Sequence, residues 1–127
     1  MNKHILVTED DKNVADGLRE ILESDGYTVS CADCASAAMQ TMRDGGADLV
    51  ILDVRLGQDD GYELCRRIRE FSNVPILFLT ACSSEIELVR GFRAGGDDYV
   101  AKPFRMHELL VRVTQTVTMG KEDRKST

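Results

Sequence analysis

DLVILDVRLGQDDGYEL (residues 48–64) contains the most apolar strand-like run of the chain, and that run ends on a carboxylate. The segment LVILD has the continuous apolar character typical of a strand that is covered on both faces. Asp53 closes the run, and a polar loop with further acidic residues follows. Asp53 is therefore either an ordinary polar residue at a strand end or a residue that the fold delivers to a site.

Short apolar runs and amphipathic segments alternate along the chain. Strands are predicted at 4–8, 27–31, 48–53, 75–80 and 98–102, each followed by a helix. The third helix should end before Val74, because a residue that precedes proline avoids the helical region. Five βα units predict an α/β fold, a doubly wound parallel sheet with helices on both faces.

Length and charge place further limits on the function. The 127 residues fit one domain, expected at 1–118, and the polar residues 119–127 are typical of a frayed tail or the start of a linker. A formal charge of -6 argues against a nucleic-acid surface on this chain. No signal peptide or membrane-length apolar run is visible, so we expect a cytoplasmic protein without membrane contact.

Cys31 and Cys34 form a C-x-x-C pair, which can indicate redox or zinc chemistry. A zinc site needs two further close ligands, whereas the other cysteines and both histidines occur singly. We therefore favour structural cysteines over a functional pair.

Polar side chains follow four of the five strands at their carboxyl ends, which meet at one edge of a parallel sheet, where ligands bind. They are Glu9, Asp10, Asp11, Asp53, Thr80 and Lys102. Taken singly, each has an ordinary explanation, such as a helix cap, a turn residue or a solvated lysine. Their convergence at one edge favours a functional site.

Three clustered carboxylates, Glu9, Asp10 and Asp53, would repel one another without a cation. Mg²⁺ binds one or two carboxylates and completes its shell with water and phosphate oxygens. The Thr80 hydroxyl and the Lys102 ammonium group suit a phosphoryl group, and an aspartate carboxylate can accept one. These residues predict Mg²⁺-dependent phosphorylation of Asp53.

A phosphatase of the haloacid dehalogenase type also uses an aspartate nucleophile after an apolar strand. Such enzymes require a second acid two residues later, and here that residue is Arg55. The chain also leaves no room for their cap domain. The phosphatase alternative is therefore disfavoured.

Four motifs, ILVTEDD (5–11), DLVILDVRLGQDDGYEL (48–64), PILFLTA (75–81) and GGDDYVAKPF (95–104), together resemble the receiver (CheY-like) domain of bacterial two-component response regulators. The resemblance covers about residues 3–118. It implies a flavodoxin-like sheet of order 2-1-3-4-5 and a signalling domain, not an enzyme, that receives its phosphoryl group from a sensor histidine kinase. It also implies slow autodephosphorylation.

The resemblance assigns roles to the residues at the sheet edge. Asp53 is similar to the phosphoacceptor. Glu9 and Asp10 are similar to the acidic pair that holds Mg²⁺ together with Asp53, and the backbone carbonyl of Arg55 is implied as a further ligand.

A second set of roles concerns switching. Thr80 is similar to the hydroxyl that turns toward the phosphate, and Tyr99 to the aromatic residue whose rotamer follows it. Lys102 is similar to the lysine that pairs with a phosphate oxygen, and the resemblance implies a cis peptide bond between Lys102 and Pro103.

GGDDYVAKPF with the later ELLVRV is most similar to the OmpR/PhoB subfamily. That likeness implies a homodimer on phosphorylation, formed by the fourth helix, fifth strand and fifth helix. It also implies DNA binding through a C-terminal domain outside this chain. The charged residues expected on the dimer face are Asp97, Asp98, Glu108 and Arg112, for which a solvated surface is the alternative.

Some positions depart from the family pattern. Leu88 stands where the subfamily usually has a basic residue, which Arg90 could replace. Gly57 stands where proline is usual, so the loop loses a fixed φ. Arg55 and Cys82 occupy variable positions that tune dephosphorylation, while Asp59 and Asp60 are interpreted as loop and helix-capping residues.

A constitutive pseudo-receiver module without phosphorylation is the alternative function.

Overall fold

The computed structural model describes residues 3–81 and 84–123, the last five by backbone only. Strands and helices alternate, with one short hairpin after the third strand. In chain order the elements are β1 (His4–Thr8), α1 (Lys12–Ser24), β2 (Thr28–Ala32), α2 (Ala35–Asp44), β3 (Leu49–Asp53), β4 (Arg55–Leu56), β5 (Asp59–Asp60), α3 (Gly61–Arg69), β6 (Ile76–Thr80), α4 (Glu85–Ala94), β7 (Asp98–Ala101) and α5 (Met106–Asp123).

The main sheet has five parallel strands in the order β2-β1-β3-β6-β7. This order corresponds to 2-1-3-4-5 when the hairpin strands are left out, so the expected doubly wound, flavodoxin-like fold is confirmed. Strand β3 lies in the centre and is buried along its whole length. Its continuous apolar run follows from having helices on both faces.

Two apolar clusters cover the two faces of the sheet, because successive side chains of a strand point to opposite sides. One cluster joins Leu6 and Phe78 to residues of α2 and α3. The other joins Val7 and Ile51 to Leu109 and other residues of α1 and α5. Packing on both faces fixes the strands and therefore the edge at which they end.

The loop after β3 contains an unpredicted antiparallel hairpin, β4 paired with β5. Gly57 lies in its two-residue turn with φ +59°, while Gln58 is not among the residues with positive φ. Glycine at the first turn position is typical of hairpins whose twist matches the strands. Proline, with φ near −65°, cannot adopt this conformation, which accounts for glycine here.

Two aspartates of the hairpin cap two different helices. Asp60 accepts a hydrogen bond from the Tyr62 backbone N–H at 2.9 Å and caps α3. The side chain of Asp59 accepts one from the Ala35 backbone N–H at 2.9 Å. Cys34, the N-cap residue of α2, makes no side-chain capping bond, so Asp59, which is distant in sequence, caps that helix instead.

Helix α5 continues past the expected domain end at 118 and reaches Asp123. Val117 is the last buried apolar residue that the structure describes. The first part of the polar tail is therefore helical, and the domain boundary at 118 stays a prediction. Cys31, Cys34 and Cys65 form no disulfide bond within the described part of the chain, and Cys82 lies outside the described residues.

Candidate functional site

The carboxyl edge of the sheet brings the predicted residues Glu9, Asp53 and Lys102 into direct contact. Asp53 ends β3, Glu9 follows β1 and Lys102 follows β7. The Lys102 Nζ lies 2.7 Å from Glu9 Oε1 and 2.9 Å from Asp53 Oδ2. One ammonium group thus joins the ends of three strands.

The carboxylate of Asp53 is held on both oxygens. Its Oδ1 accepts a hydrogen bond from the Arg55 backbone N–H at 3.0 Å, while Oδ2 is bound by Lys102. A Cβ at Gly61 would overlap the Asp53 carbonyl, and the Gly61 N–H donates to the Val54 carbonyl at 2.8 Å. Glycine at 61 therefore lets the chain pass close behind Asp53, which is 7% exposed.

Glu9 is 2% exposed, and both of its carboxylate oxygens accept hydrogen bonds, from Lys102 and from the Asp11 backbone N–H. Burial, helped by the neighbouring Asp53 carboxylate, raises the pKa of Glu9 to about 7, although Lys102 opposes the rise. Burial alone would lower the pKa of Lys102, but its bonds to the two carboxylates outweigh burial and raise it. The Lys102–Pro103 peptide bond is cis, as expected.

An acidic trio is formed by Glu9, Asp10 and Asp53. One carboxylate oxygen from each lies within 4.8 Å of the others. Glu9 and Asp53 are buried, whereas Asp10 is exposed and opens the trio to solvent. Three carboxylates against one ammonium group leave a negative excess, and hard oxygen ligands in this arrangement fit Mg²⁺.

A cleft of about 350 Å³ opens beside Asp53. Its lining residues are Asp53, Val54, Arg55, Thr80, Ala81, Glu87 and Lys102. Thr80, at the end of β6, is 4% exposed and lies at the wall of this cleft. Hydroxyl, ammonium and carboxylate groups therefore face one space beside the expected acceptor oxygens.

The family model described as the response regulator receiver domain matches residues 5–114. The chain belongs to this family. The receiver domain is 42% identical over 114 residues to the transcriptional regulatory protein YvrH of Bacillus subtilis (strain 168). It is 49% identical over 113 residues to a second protein of that strain, named uncharacterized transcriptional regulatory protein YrkP.

These matches cover 88% and 89% of the chain but 48% of each relative, so the chain spans about half the length of the curated relatives it matches. Among solved structures, the CheY-like receiver domain protein from Methanospirillum hungatei JF-1 is similar, with a TM-score of 0.90 and 25% identity. That match covers 97% of this chain and 99% of the other. The prediction of a receiver domain is confirmed, while the OmpR/PhoB assignment stays a prediction.

The residues expected on a dimer face have different surroundings in the receiver domain. Arg112 Nη1 lies 3.0 Å from Asp98 Oδ1, so these two are paired within the chain. Asp97 Oδ2 accepts hydrogen bonds from Arg69 at 3.0 Å and from the Ile76 backbone N–H at 2.9 Å. Glu108 is exposed in the first turn of α5.

Leu88, which stands where the subfamily usually has a basic residue, and Arg90, the replacement suggested for it, both lie on α4. Leu88 is half-buried and lines a small pocket of about 10 Å³ together with Thr80 and Tyr99. The Arg90 guanidinium lies 4.8 Å from the centre of the Tyr62 ring. Arg90 is therefore occupied by contacts within its own chain.

Glu87 is a site residue that sequence reasoning missed. It lines the cleft beside Asp53, although it comes from α4 and not from a strand end. The available signal was an acidic residue in the first turn of the helix that follows Thr80.

Within the described part of the chain, none of the helices has the length and apolar character of a membrane span.

Proposed function

We propose that Asp53 is the phosphoacceptor of a two-component response regulator and receives its phosphoryl group from a sensor histidine kinase with the help of Mg²⁺. The observation that carries the proposal is the shared position of Asp53, Glu9 and Lys102, with Asp10 completing an acidic trio. The matching receiver family supports the same class of signalling domain.

The chain's own groups prepare Asp53 for attack. The Arg55 backbone N–H and Lys102 fix the plane of the carboxylate, and Asp53 lines the cleft that a phosphoryl donor would enter for in-line displacement. One carboxylate oxygen forms the new bond to phosphorus while the bond from phosphorus to the donor histidine nitrogen breaks, and the nitrogen keeps the electron pair. Lys102 and Thr80 then lie beside the phosphoryl oxygens.

The acidic trio, with the backbone carbonyl of Arg55 as a further oxygen ligand, would hold the metal. Bound there, Mg²⁺ would supply charge that offsets the incoming phosphoryl oxygens. Asp10, the exposed member, keeps the trio accessible from solvent.

Phosphorylation would act through residues that line both the cleft beside Asp53 and the small pocket that contains Tyr99. Thr80 lies in the wall of the acceptor cleft and of the small pocket that also contains Tyr99. A phosphoryl group that draws Thr80 inward would let Tyr99 follow and would alter the surface of α4, β7 and α5.

We propose that this surface, with the charged residues Asp97, Asp98, Glu108 and Arg112, then forms a homodimer. The OmpR/PhoB likeness supports DNA binding by a further domain, as does the transcriptional naming of relatives about twice as long.

Phosphorylation by a small donor tests the proposal. The purified domain is incubated with acetyl phosphate, with Mg²⁺ or with EDTA, and its intact mass is measured. We expect one added phosphoryl group only with Mg²⁺, none in Asp53→Asn, and an unchanged gain in Asp33→Asn, a control at an exposed aspartate. A wild-type domain that binds Mg²⁺ but gains no phosphoryl group would contradict the proposal and favour a constitutive interaction module.

A further inference from the structure

Glu87 connects the acceptor cleft to a second cluster between α3 and α4. The Tyr62 hydroxyl donates to Glu87 Oε2 at 2.6 Å and lies 3.1 Å from the Glu87 carbonyl oxygen. Arg90 Nη1 lies 3.6 Å from Glu87 Oε1, and its guanidinium lies over the Tyr62 ring. We call Tyr62, Glu87 and Arg90 the α4 clamp, because the three side chains fix the first half of α4 to α3.

The clamp rests on a rigid support. Tyr62 is 2% exposed, and its ring packs edge-on against Phe78 of β6 with 5.2 Å between the ring centres. Burial, and then the nearby Glu87 carboxylate, raise the pKa of the Tyr62 hydroxyl, which therefore keeps its proton and remains a donor. The Glu87 carboxylate is thus the acceptor that Tyr62 holds in place.

Glu87 is also a wall residue of two neighbouring spaces. It lines the cleft beside Asp53 and the small pocket that contains Tyr99, and Thr80 lies in the wall of both. A displacement of the Glu87 side chain therefore changes the space on both sides of Thr80. Glu87 therefore connects the cleft beside Asp53 to the small pocket that contains Tyr99.

The charges of the cleft oppose a phosphoryl group near Glu87. Lys102 is already shared between Glu9 and Asp53, and phosphorylation replaces the single negative charge of the Asp53 carboxylate by a phosphoryl group that carries about −1.5 to −2. Glu87, whose side chain carries a further negative charge, lines the same cleft, and 3.6 Å separates its Oε1 from Arg90 Nη1. Like charges in one cleft repel, so phosphorylation disfavours the held position of Glu87.

We propose that Glu87 is a positioning residue that responds to phosphoryl charge on Asp53. The added charge displaces its carboxylate, the Tyr62–Glu87 hydrogen bond breaks, and the α4 clamp releases the first half of α4. The proposal rests on the phosphoacceptor function and adds a route by which the charge reaches α4, separate from the Thr80 and Tyr99 movement.

Beryllofluoride, a phosphoryl analogue, with saturating Mg²⁺ provides the test. Glu87→Gln keeps the shape and the oxygen that accepts from Tyr62 but removes the charge, so it should bind beryllofluoride at least about threefold more tightly. The gain should shrink as salt is added, because a cleft open to solvent is screened. The matched control is Glu63→Gln, which removes an exposed acid paired with Arg66 and should leave the affinity unchanged.

Tyr62→Phe supplies the second arm. Loss of the hydroxyl frees Glu87 to move, so the analogue should again bind more tightly, and the gain should vanish when Glu87→Gln is already present. A purely structural Tyr62 would lower the free energy of unfolding and leave the affinity of either background unchanged.

The outcomes separate the two proposals. A wild-type domain that neither accepts phosphate from acetyl phosphate nor binds beryllofluoride overturns the phosphoacceptor function and this inference with it. A wild-type domain that does both, combined with unchanged or weaker analogue binding in Glu87→Gln, overturns the inference alone.

Discussion

Replacing Lys102 by methionine removes the ammonium group shared by two buried carboxylates. Its Nζ lies within 2.9 Å of Glu9 and of Asp53, so both carboxylates lose a hydrogen bond and a counter-charge. At an effective dielectric constant of about 20, one such contact amounts to roughly 6 kcal/mol before desolvation is subtracted.

The net loss is smaller than this Coulomb energy. Removing one partner of a buried pair costs about 3 to 5 kcal/mol, because the other charge remains buried. The Lys102 side chain is 23% exposed, so solvent reduces the effect, and we expect a loss of about 2 to 3 kcal/mol in the free energy of unfolding. Lys12→Met is the matched control, since its 3.0 Å pair with Asp16 is exposed and should change stability by about 0.5 kcal/mol or less.

The stability lost in Lys102→Met should also depend on pH. Lys102 has a raised pKa and stays charged throughout the neutral and acidic range, so the loss of its own proton lowers stability only as pH rises through that pKa. Glu9 also has a raised pKa, of about 7, so its contribution to stability is lost as pH rises from about 4.5 through 7. Without Lys102 the pKa of Glu9 rises further, and the deficit of the variant should widen between about pH 5 and about pH 8.

Urea unfolding of both variants and wild type, in EDTA at about pH 5 and about pH 8, measures these differences. Added Mg²⁺ should restore part of the lost stability at the higher pH, because it replaces the missing positive charge. A Lys102→Met loss no larger than that of Lys12→Met, or one that does not change with pH, would refute the electrostatic account of the site.

Three further predictions concern the metal site and the hairpin. Calorimetric titration should show Mg²⁺ affinity falling by about tenfold per pH unit below about pH 6, because Glu9 must lose its proton to bind; a flat profile would exclude Glu9 as a ligand. Asp59→Ala should cost about 1 kcal/mol in urea unfolding, because α2 loses its cap, whereas exposed Asp33→Ala should cost little. Gly57→Ala should cost about 1 kcal/mol by the same measurement, because φ is +59° there; unchanged stability would contradict the turn assignment.

The elements of the main sheet could be predicted because their period is visible in the sequence. The continuous apolar run before Asp53 indicated a central parallel strand, and β3 is buried throughout. The convergence of Glu9, Asp53 and Lys102 followed from topology alone, since the carboxyl ends of parallel strands share one edge. The positions of residues at strand ends could therefore be predicted from the order of the strands in the sequence.

The hairpin and the α4 clamp could not be predicted in the same way. Strands β4 and β5 have two residues each, too short for an alternating pattern, and the turn depends on the positive φ of Gly57. The bond from Asp59 to Ala35 spans 24 residues and that from Tyr62 to Glu87 spans 25. Such contacts depend on how helices pack against each other, which local propensity does not specify.

Locating the phosphoryl group on the chain tests the central claim most directly. The domain is phosphorylated with acetyl phosphate and Mg²⁺, the aspartyl phosphate is reduced with borohydride to homoserine, and the peptides are sequenced by mass spectrometry. We predict homoserine at position 53 and no converted residue in the peptides that carry Asp10, Asp59 or Asp60. Conversion at another aspartate with an intact Asp53 would contradict the assignment of Asp53 as the acceptor.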